Sequence, residues 1–412
     1  MRGAVVAFAL LALAAAVRAG DIDIKFAGYG DVRLVLPSDD DDTWLEGGLA
    51  KTRFGRADGD AEVRFGEIVG EGVWQITPEV MALAWARYDE DQREPLDLIE
   101  AYVRYRPVST SEWRWSVKAG AFFPPVSLEN DEIGWTSAWT LTPSAINTWV
   151  GEELRAIGAE GKIELRGSVD TFEANVALFG WNDPAGVLID VRGWALHDRP
   201  TGLFDRPREP DALAVMWGIP TPLDTPMFRE IDDRVGYYAR VAWRREGCGG
   251  IELLRYDNRA NPAAFDETFA WRTEFWSLGA STQIGDIVLL AQALTGETEI
   301  APMVPFYDRV VTFWSAYVLA ARDFGDWRLA ARAEIFGADA TNHYLEDDAD
   351  DLPAFGEHGH AFTLAGAWLP EEWLRISGEL LVIDSYRPMR RIMGLSADSV
   401  ETQFQLGARL YF

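Results

Sequence analysis

The chain has 412 residues, a formal net charge of −28 and a single cysteine. The acidic excess argues against nucleic acid as a partner, and one cysteine excludes a disulfide within the chain. Its 18 Trp, 12 Tyr and 21 Phe are more than a soluble exported protein readily places, and they are typical of chains that set aromatic side chains at bilayer interfaces.

The N-terminus has the pattern of an export signal. Arg2 precedes an uncharged run from residue 3 to residue 17, and the small residues around Arg18 suit cleavage after Ala19. We therefore expect residues 1–19 to be removed. No later stretch reaches the roughly 20 uncharged apolar residues of a spanning helix, which excludes a helical inner-membrane protein.

From residue 22 to the end, segments of about ten residues alternate in polarity. The predicted strands are 22–36, 59–69, 73–88, 97–107, 113–122, 155–166, 170–182, 235–246, 249–258, 271–283, 286–297, 310–323, 327–338, 360–369, 373–384 and 400–412. The sequence therefore predicts an all-β fold, with residues 20–412 forming one transmembrane antiparallel β-barrel of about sixteen strands.

The predicted connections alternate in length along the whole chain. The short turns are VGEG, VSTSE, GSV, GCG, IGD, FGD and PEE, and the long segments are 37–58, 89–96, 123–154, 183–234, 259–270, 298–309, 339–359 and 385–399. Short periplasmic turns and long external loops are the pattern of outer-membrane barrels. The acidic runs 38–44 and 345–353 fall in external loops, either as solvated rim charges or, through shared divalent cations, as contacts with lipopolysaccharide.

One face of each predicted strand carries charge. Because charge facing lipid at mid-membrane costs about 2–4 kcal/mol, these residues are expected to point inward and to form a mainly basic wall. The predicted pore-lining residues are Arg104, Arg106, Arg114, Lys118, Arg240, Arg328 and Arg332. The alternative is that these side chains are structural and pair with inward glutamates such as Glu100, Glu334, Glu379 and Glu401.

Two long loops stand out. Segment 123–154 contains five acidic residues and no Lys or Arg, and its Trp, Pro and Ser content predicts a loop folded back on the protein. Segment 183–234 is rich in proline, which predicts an extended path over the mouth that screens solutes or, as the favoured alternative, caps the barrel.

The export signal, the strand and loop alternation, the terminal ARLYF and the long third loop together resemble Gram-negative outer-membrane porins. Over residues 113–165, AGAFFPPVSLEND is similar to the strand and Pro-containing segment of the phosphate-selective porin O/P family. The resemblance implies that loop 123–154 enters and narrows the lumen, that a final aromatic, here Phe412, is read by the barrel-assembly machinery, and that the protein is a homotrimer. Phosphate-selective members have a basic narrowing, whereas this loop is acidic.

We therefore expect a porin of the Gram-negative outer membrane that passes small hydrophilic or charged solutes by passive diffusion. Its acidic constriction residues would be Glu129, Asp131 and Glu132, facing the basic wall. The alternatives are a substrate-specific anion or oligosaccharide porin and a non-conducting structural or adhesive barrel. The expected partners are outer-membrane lipid, lipopolysaccharide and the assembly machinery. No catalytic motif is present, so we expect no enzyme, no cofactor and no metal.

Overall fold

The computed structural model describes residues 23–37, 42–55, 61–303, 307–342 and 355–412. The predicted export signal, residues 38–41 of the first acidic run and the whole of the second acidic run lie outside the described residues.

Sixteen strands of the described chain close into a barrel, and each pairs antiparallel with its neighbours in sequence. They are β1 (Asp23–Pro37), β2 (Glu62–Gln75), β3 (Val80–Tyr88), β4 (Leu96–Tyr105), β5 (Trp113–Phe122), β6 (Ala156–Arg166), β7 (Asp170–Gly180), β8 (Gly236–Arg245), β9 (Gly249–Asp257), β10 (Arg272–Ile284), β11 (Ile287–Met303), β12 (Tyr307–Phe324), β13 (Trp327–Asn342), β14 (Glu357–Glu371), β15 (Leu374–Tyr386) and β16 (Asp398–Tyr411). The predicted fold class and strand number are confirmed.

The last strand shows the alternation that orients every wall. β16 pairs with β1 from Tyr411 opposite Tyr29 to Gln403 opposite Pro37, which closes the barrel. Glu401, Gln403, Gln405 and Arg409 are buried, and the exposed residues that alternate with them include Val400, Phe404, Leu406 and Leu410. Because side chains alternate with a period of two, the apolar face points to lipid and the polar face points into the barrel.

The barrel closes on a glycine. The backbone N–H of Gly28 donates to the carbonyl of Phe412, and the N–H of Phe412 donates back, both at 3.0 Å. A Cβ on Gly28 would lie 2.6 Å from the Phe412 ring. The terminal ring therefore lies against the backbone of the first strand, and this close approach requires glycine.

One predicted turn is wrong. VGEG lies inside β2, and the chain reverses at residues 76–79 instead. The hydroxyl of Thr77 accepts from the N–H groups of Glu79 and Val80 at 3.2 and 3.1 Å. A side-chain-capped turn that contains Pro78, which has no N–H to donate to a ladder, is the stronger reversal signal.

A β-bulge changes the face of Ile99, which the simple alternation predicts to be outward. Trp85 pairs with Glu100, and the next residue of β3, Ala86, pairs with Leu98. Ile99 is thus the extra residue of a bulge and is fully buried.

Two long connections contain helices. Loop L3 (residues 123–155) carries a hairpin of Asn130–Glu132 and Thr136–Ser137 and helix α1 (Ala145–Glu153), and loop L4 (residues 181–235) carries α2 (Val187–Val191) and α3 (Asp211–Trp217). A second hairpin joins Phe265–Asp266 to Thr268–Phe269, and 3₁₀ turns span Trp44–Glu46 and Pro388–Met393. Among the described residues, every helix is too short or too polar to cross a membrane.

Candidate functional site

Loops L3 and L4 fill the barrel on its long-loop side. Every residue from 140 to 156 and from 182 to 202 is buried. We call residues 140–155 and 182–202 the plug. Segment 183–234 is expected to run over the mouth as a cap, but its first twenty residues are buried inside. Their apolar side chains belong to the core of the barrel, and these include Val187, Leu188, Ile189, Val191, Trp194 and Leu196.

An aromatic cluster holds α1 against the wall. Trp149 packs with its ring centroid 5.4 Å from that of Phe275 on β10 and 5.1 Å from that of Phe313 on β12. Trp194 of L4 lies 6.1 Å from both Trp149 and Phe313. Aromatic pairs of this kind contribute about 0.5–1.5 kcal/mol each beyond burial, so both loops are anchored through one cluster.

Arg332 on β13 binds the backbone near the start of the plug, at Thr142 and Pro143. Its guanidinium donates to the carbonyls of Thr142 and Pro143 at 2.9 and 3.0 Å and pairs with Glu129 at 3.3 Å and Glu334 at 2.8 Å. All three charged side chains are fully buried. Two residues predicted to line opposite sides of the pore, Arg332 and Glu129, therefore contact each other.

Inward glutamates also hold the backbone of L3. Glu379 on β15 accepts from the N–H groups of Leu141 and Thr142 at 2.7 and 3.1 Å, and Glu334 accepts from Ala145 at 2.8 Å. These bonds satisfy amide groups that would otherwise be buried without an acceptor. The wall thus supplies acceptors for the loop, a function that strand periodicity alone does not predict.

L3 and L4 interlock at the end of α1. Glu153 accepts from the N–H groups of Gly186 and Ile189 at the start of α2, and burial raises the pKa of Glu153 to about 8. Its neighbour Glu152 pairs with Arg192 and lies 2.9 Å from Nε2 of His197. The Arg192 guanidinium, together with the bond to His197, holds the pKa of Glu152 at about 2, against the effect of burial.

A buried charge network joins L4 to the rest of the barrel. Asp198 pairs with Arg33 on β1 and, at 3.3 Å, with Arg53. Arg53 continues to Asp89 at 3.1 Å, which also pairs with Arg199 at 3.2 Å. Adjacent guanidinium groups lower the pKa of Asp89 to about 2 and hold that of Asp198 well below its usual range. The network fixes L4 against β1 and two other loops.

Arg155, the last residue of L3, packs the plug against β4. Its guanidinium stacks 3.5 Å from the centre of the Phe123 ring and donates to the carbonyls of Ile99, Gly151 and Thr201 at 2.9, 3.1 and 2.8 Å. Burial without a carboxylate bond lowers the pKa of Arg155 to about 9. The plug therefore meets this wall in direct contact.

The other predicted basic residues are in different surroundings. Arg240 pairs with Glu252 at 2.5 Å, Lys118 with Glu160 at 3.4 Å and Arg328 with Asp323 at 2.8 Å. Arg104 and Arg114 are half-buried on the inward faces of β4 and β5, whereas Arg106 is exposed in the turn after β4.

The inward face is mixed in charge rather than mainly basic. Besides the predicted inward glutamates Glu379 and Glu401, the strands contribute further buried acids, which are Asp31, Glu67, Glu160, Glu164, Glu173, Glu252 and Glu357. Several of them pair with inward arginines across strands, as the structural alternative proposes.

The short-turn side of the lumen is more open. Lys162 and Arg244 have side chains that are 31% and 57% exposed, and Asp131 of L3 is also exposed. Glu132 is half-exposed and lies 3.5 Å from Arg375. We call this space the periplasmic vestibule. Of the three predicted constriction acids, Asp131 and Glu132 are accessible to solvent and Glu129 is not.

Three acidic residues could approach a cation. Oxygens of Asp183, Glu230 and Asp232 lie within 4.8 Å of one another. Asp183 and Asp232 already accept backbone N–H groups of Ile231 and Arg234, and burial raises the pKa of Asp183 to about 7. We assign no metal to these residues.

Solved outer-membrane proteins share this fold. The outer membrane channel DcaP of Acinetobacter baumannii matches with a TM-score of 0.55 and 9% identity, over 95% of this chain and 97% of that one. An anion-selective porin from Comamonas acidovorans matches with a TM-score of 0.52 and 13% identity, over 95% and 100%. The trimer form of OmpT, an outer membrane protein of Vibrio cholerae, matches with a TM-score of 0.52 and 10% identity, over 95% and 99%.

No protein-family model matches the chain, and the comparison with curated proteins found no match. At 9–13% identity the solved structures show a common barrel fold.

Proposed function

We propose that the chain is a porin of the Gram-negative outer membrane that passes small hydrophilic or charged solutes by diffusion. The observation that carries this is a closed barrel of sixteen strands with charged inward faces. A barrel of this size encloses more space than wall side chains fill, and single-chain barrels with an even strand number belong to the outer membrane.

The plug would set the size limit of the channel. It occupies the lumen on the long-loop side, and the vestibule below it carries Lys162, Arg244 and Asp131 in contact with solvent. We propose that solutes meet this mixed field and cross beside L3, with Asp131 and Glu132 as its acidic edge. We expect the single-channel conductance to be smaller than that of an unobstructed barrel of sixteen strands. Conductance falls as the free cross-section of the narrowest part of the pore becomes smaller, and the plug narrows this pore.

Planar-bilayer recording of the purified full chain tests this function. We expect discrete single-channel currents, and the variant Asp131→Lys should shift the reversal potential toward anion preference in a salt gradient. Asp326→Lys is a matched control, since Asp326 lies in the exposed turn between β12 and β13. Absence of current from the folded wild-type barrel would reject the channel.

A second candidate is a non-conducting barrel with a structural or adhesive role. The burial of all residues from 140 to 156 and from 182 to 202 favours it, because side chains rather than water fill that part of the lumen. The same recording separates the two functions.

We also propose a homotrimer, supported by the trimer form of the OmpT structure that shares the fold. Native mass spectrometry of the detergent-solubilised protein should give three times the mass of one chain. A monomer under conditions that retain the folded barrel would contradict the proposal.

A further inference from the structure

A basic recess lies on the outside of the barrel at its long-loop end. It has a volume of about 710 Å³ and is lined by Arg234, Val235, Arg259, Ala260, Pro262, Arg272 and Glu299. Arg272 lies at the start of β10 and Glu299 on β11, and the other residues lie on the segments that precede β8 and join β9 to β10.

The period-two alternation of β10 shows that the recess faces outward. Thr273 and Phe275 are buried in the barrel, so Arg272 shares the opposite face with Trp276 and Leu278, which are each 48% exposed. The guanidinium group of Arg272 therefore lies above an apolar surface that continues toward mid-membrane.

One contact lies where the charged recess meets the lipid-facing surface of the barrel. Arg255 on β9 stands 5.4 Å from the centre of the Trp276 ring and pairs with Glu274 at 2.7 Å. Trp and Tyr gather at the headgroup level of a bilayer, so the recess lies at the height of the outer-leaflet headgroups.

The guanidinium groups of the recess are accessible. The side chains of Arg234 and Arg272 are 54% and 44% exposed, and Arg259 is exposed. Arg259 has a φ of 56°, an uncommon conformation for a residue other than glycine, and it places this side chain at the recess.

The carboxylates around the recess are largely engaged elsewhere. Asp232 accepts from the N–H groups of Arg234 and Asn261, and Asp257 accepts from the N–H of Arg259 at 2.8 Å. Asp232 lies 3.8 Å from the guanidinium group of Arg234, and Asp257 lies 3.9 Å from that of Arg272. Glu274 also accepts from the guanidinium group of Arg272 at 3.4 Å, in addition to its shorter bond with Arg255 at 2.7 Å.

Of the acids, Glu299 lines the recess itself as the cross-strand partner of Arg272. Three guanidinium groups against one carboxylate give the lining a positive excess. Planar guanidinium groups bind phosphate oxygens through paired hydrogen bonds, and a basic pocket at headgroup height is a site for phosphorylated lipid.

We propose that this recess binds the phosphorylated glucosamine headgroup of a lipopolysaccharide molecule, with its acyl chains on the surface of Leu278 and Leu253 below. The site rests on the proposed outer-membrane location. It does not involve the lumen or the plug.

The test measures binding of bis-phosphorylated lipid A to the purified full chain in detergent, by native mass spectrometry. The double variant Arg259→Gln with Arg272→Gln should weaken lipid A binding by about tenfold, since two charge-assisted contacts are removed. Arg322→Gln is the matched control, because Arg322 is 43% exposed at the opposite end of the barrel and should bind lipid A as the wild type does.

Two further probes identify the ligand. Dephosphorylated lipid A should bind the wild type weakly, and inorganic phosphate at equal concentration should not displace lipid A. Unchanged binding by the double variant, or equal binding of inorganic phosphate, would overturn the site. If Arg272→Gln prevents folding, Arg234→Gln with Arg259→Gln replaces it.

Conductance distinguishes the two proposals, because the double variant should conduct as the wild type does. If the wild type conducts but does not bind lipid A, the proposed lipid A site is rejected and the channel function is retained. If the wild type binds lipid A but does not conduct, the channel function is rejected and the lipid A site is retained.

Discussion

Arg332 shows how a charged wall residue becomes part of the packing. Its guanidinium group lies between Glu129 of L3 and Glu334 of β13, and all three side chains are fully buried. Buried charges are tolerated only with such partners, and removing one partner leaves the others uncompensated.

We therefore expect Arg332→Met to lower the free energy of unfolding by about 3–5 kcal/mol. Arg322→Met is the control: Arg322 pairs with Asp286, and their side chains are 43% and 73% exposed, so the expected loss is about 1 kcal/mol or less. Urea titration of the refolded barrel in detergent, followed by Trp fluorescence, measures both. Equal losses would show that the buried pair has no special role.

Glu153 makes a pH-dependent contribution. Burial raises its pKa from an ordinary value of 4.5 to about 8, so the folded protein binds this proton more tightly than the unfolded chain. The folded protein therefore loses stability when Glu153 ionises. This free-energy cost is absent below about pH 4.5 and grows up to about pH 8, by at most about 1.4 kcal/mol per pH unit.

Stability should therefore fall between pH 5 and pH 8, and Glu153→Gln should reduce that fall. The amide oxygen can still accept from the start of α2, and the variant carries no charge to bury. Thermal unfolding at the two pH values checks this. The same slope in the variant and the wild type would contradict the assignment of the titration to Glu153.

At the scale of elements, L4 is held by charge as well as by apolar packing. Asp198 joins β1 through Arg33 and a neighbouring loop through Arg53. Arg192 of L4, after which trypsin would cleave the chain, is buried. Local opening exposes such sites in proportion to the population of the open form.

Asp198→Asn should raise the rate of trypsin cleavage after Arg192 by about tenfold or more, because a buried charge partner is lost. Asp211→Asn, in the same loop but in a partly exposed pair with Arg208, should leave the rate near that of the wild type. If conductance also rises in Asp198→Asn, L4 limits the channel. Unchanged cleavage would mean that apolar packing alone retains the loop.

At the scale of the whole molecule, closure brings the two chain ends of the barrel together. Phe412 is 70% exposed, so its ring is accessible although its backbone is bonded to Gly28. Closure uses the backbone of Phe412, so recognition of its side chain by an assembly factor, which the resemblance to porins implies, can be tested separately.

Phe412→Ala should refold in detergent with a stability within about 1 kcal/mol of the wild type, because little side-chain area is buried. In Gram-negative cells we expect a several-fold lower amount of folded barrel in the outer membrane, measured by heat-modifiable electrophoresis of membrane fractions. Leu410→Ala, on the same lipid-facing side, is the control. Normal assembly of Phe412→Ala would reject the role of the final aromatic.

The alternating polarity of the strands is sufficient to predict the barrel fold. In β16 each residue from Val400 to Tyr411 lies on the face that alternation predicts, because a strand offers only two directions and lipid excludes charge from one. The order of short and long connections also follows from the sequence, since antiparallel neighbours need only a turn at one end. The bulge at Ile99 and the turn at residues 76–79 depart from it, because local hydrogen bonding decides such details.

The tertiary structure alone decided what fills the barrel. The sequence predicted acids in L3 and arginines in the strands, but not that Glu129 and Arg332 meet in a buried pair, nor that L4 packs inside. Periodicity reports the direction of a side chain relative to its own strand. Which groups share the lumen depends on strand register and loop path, and these are set by contacts between residues far apart in sequence.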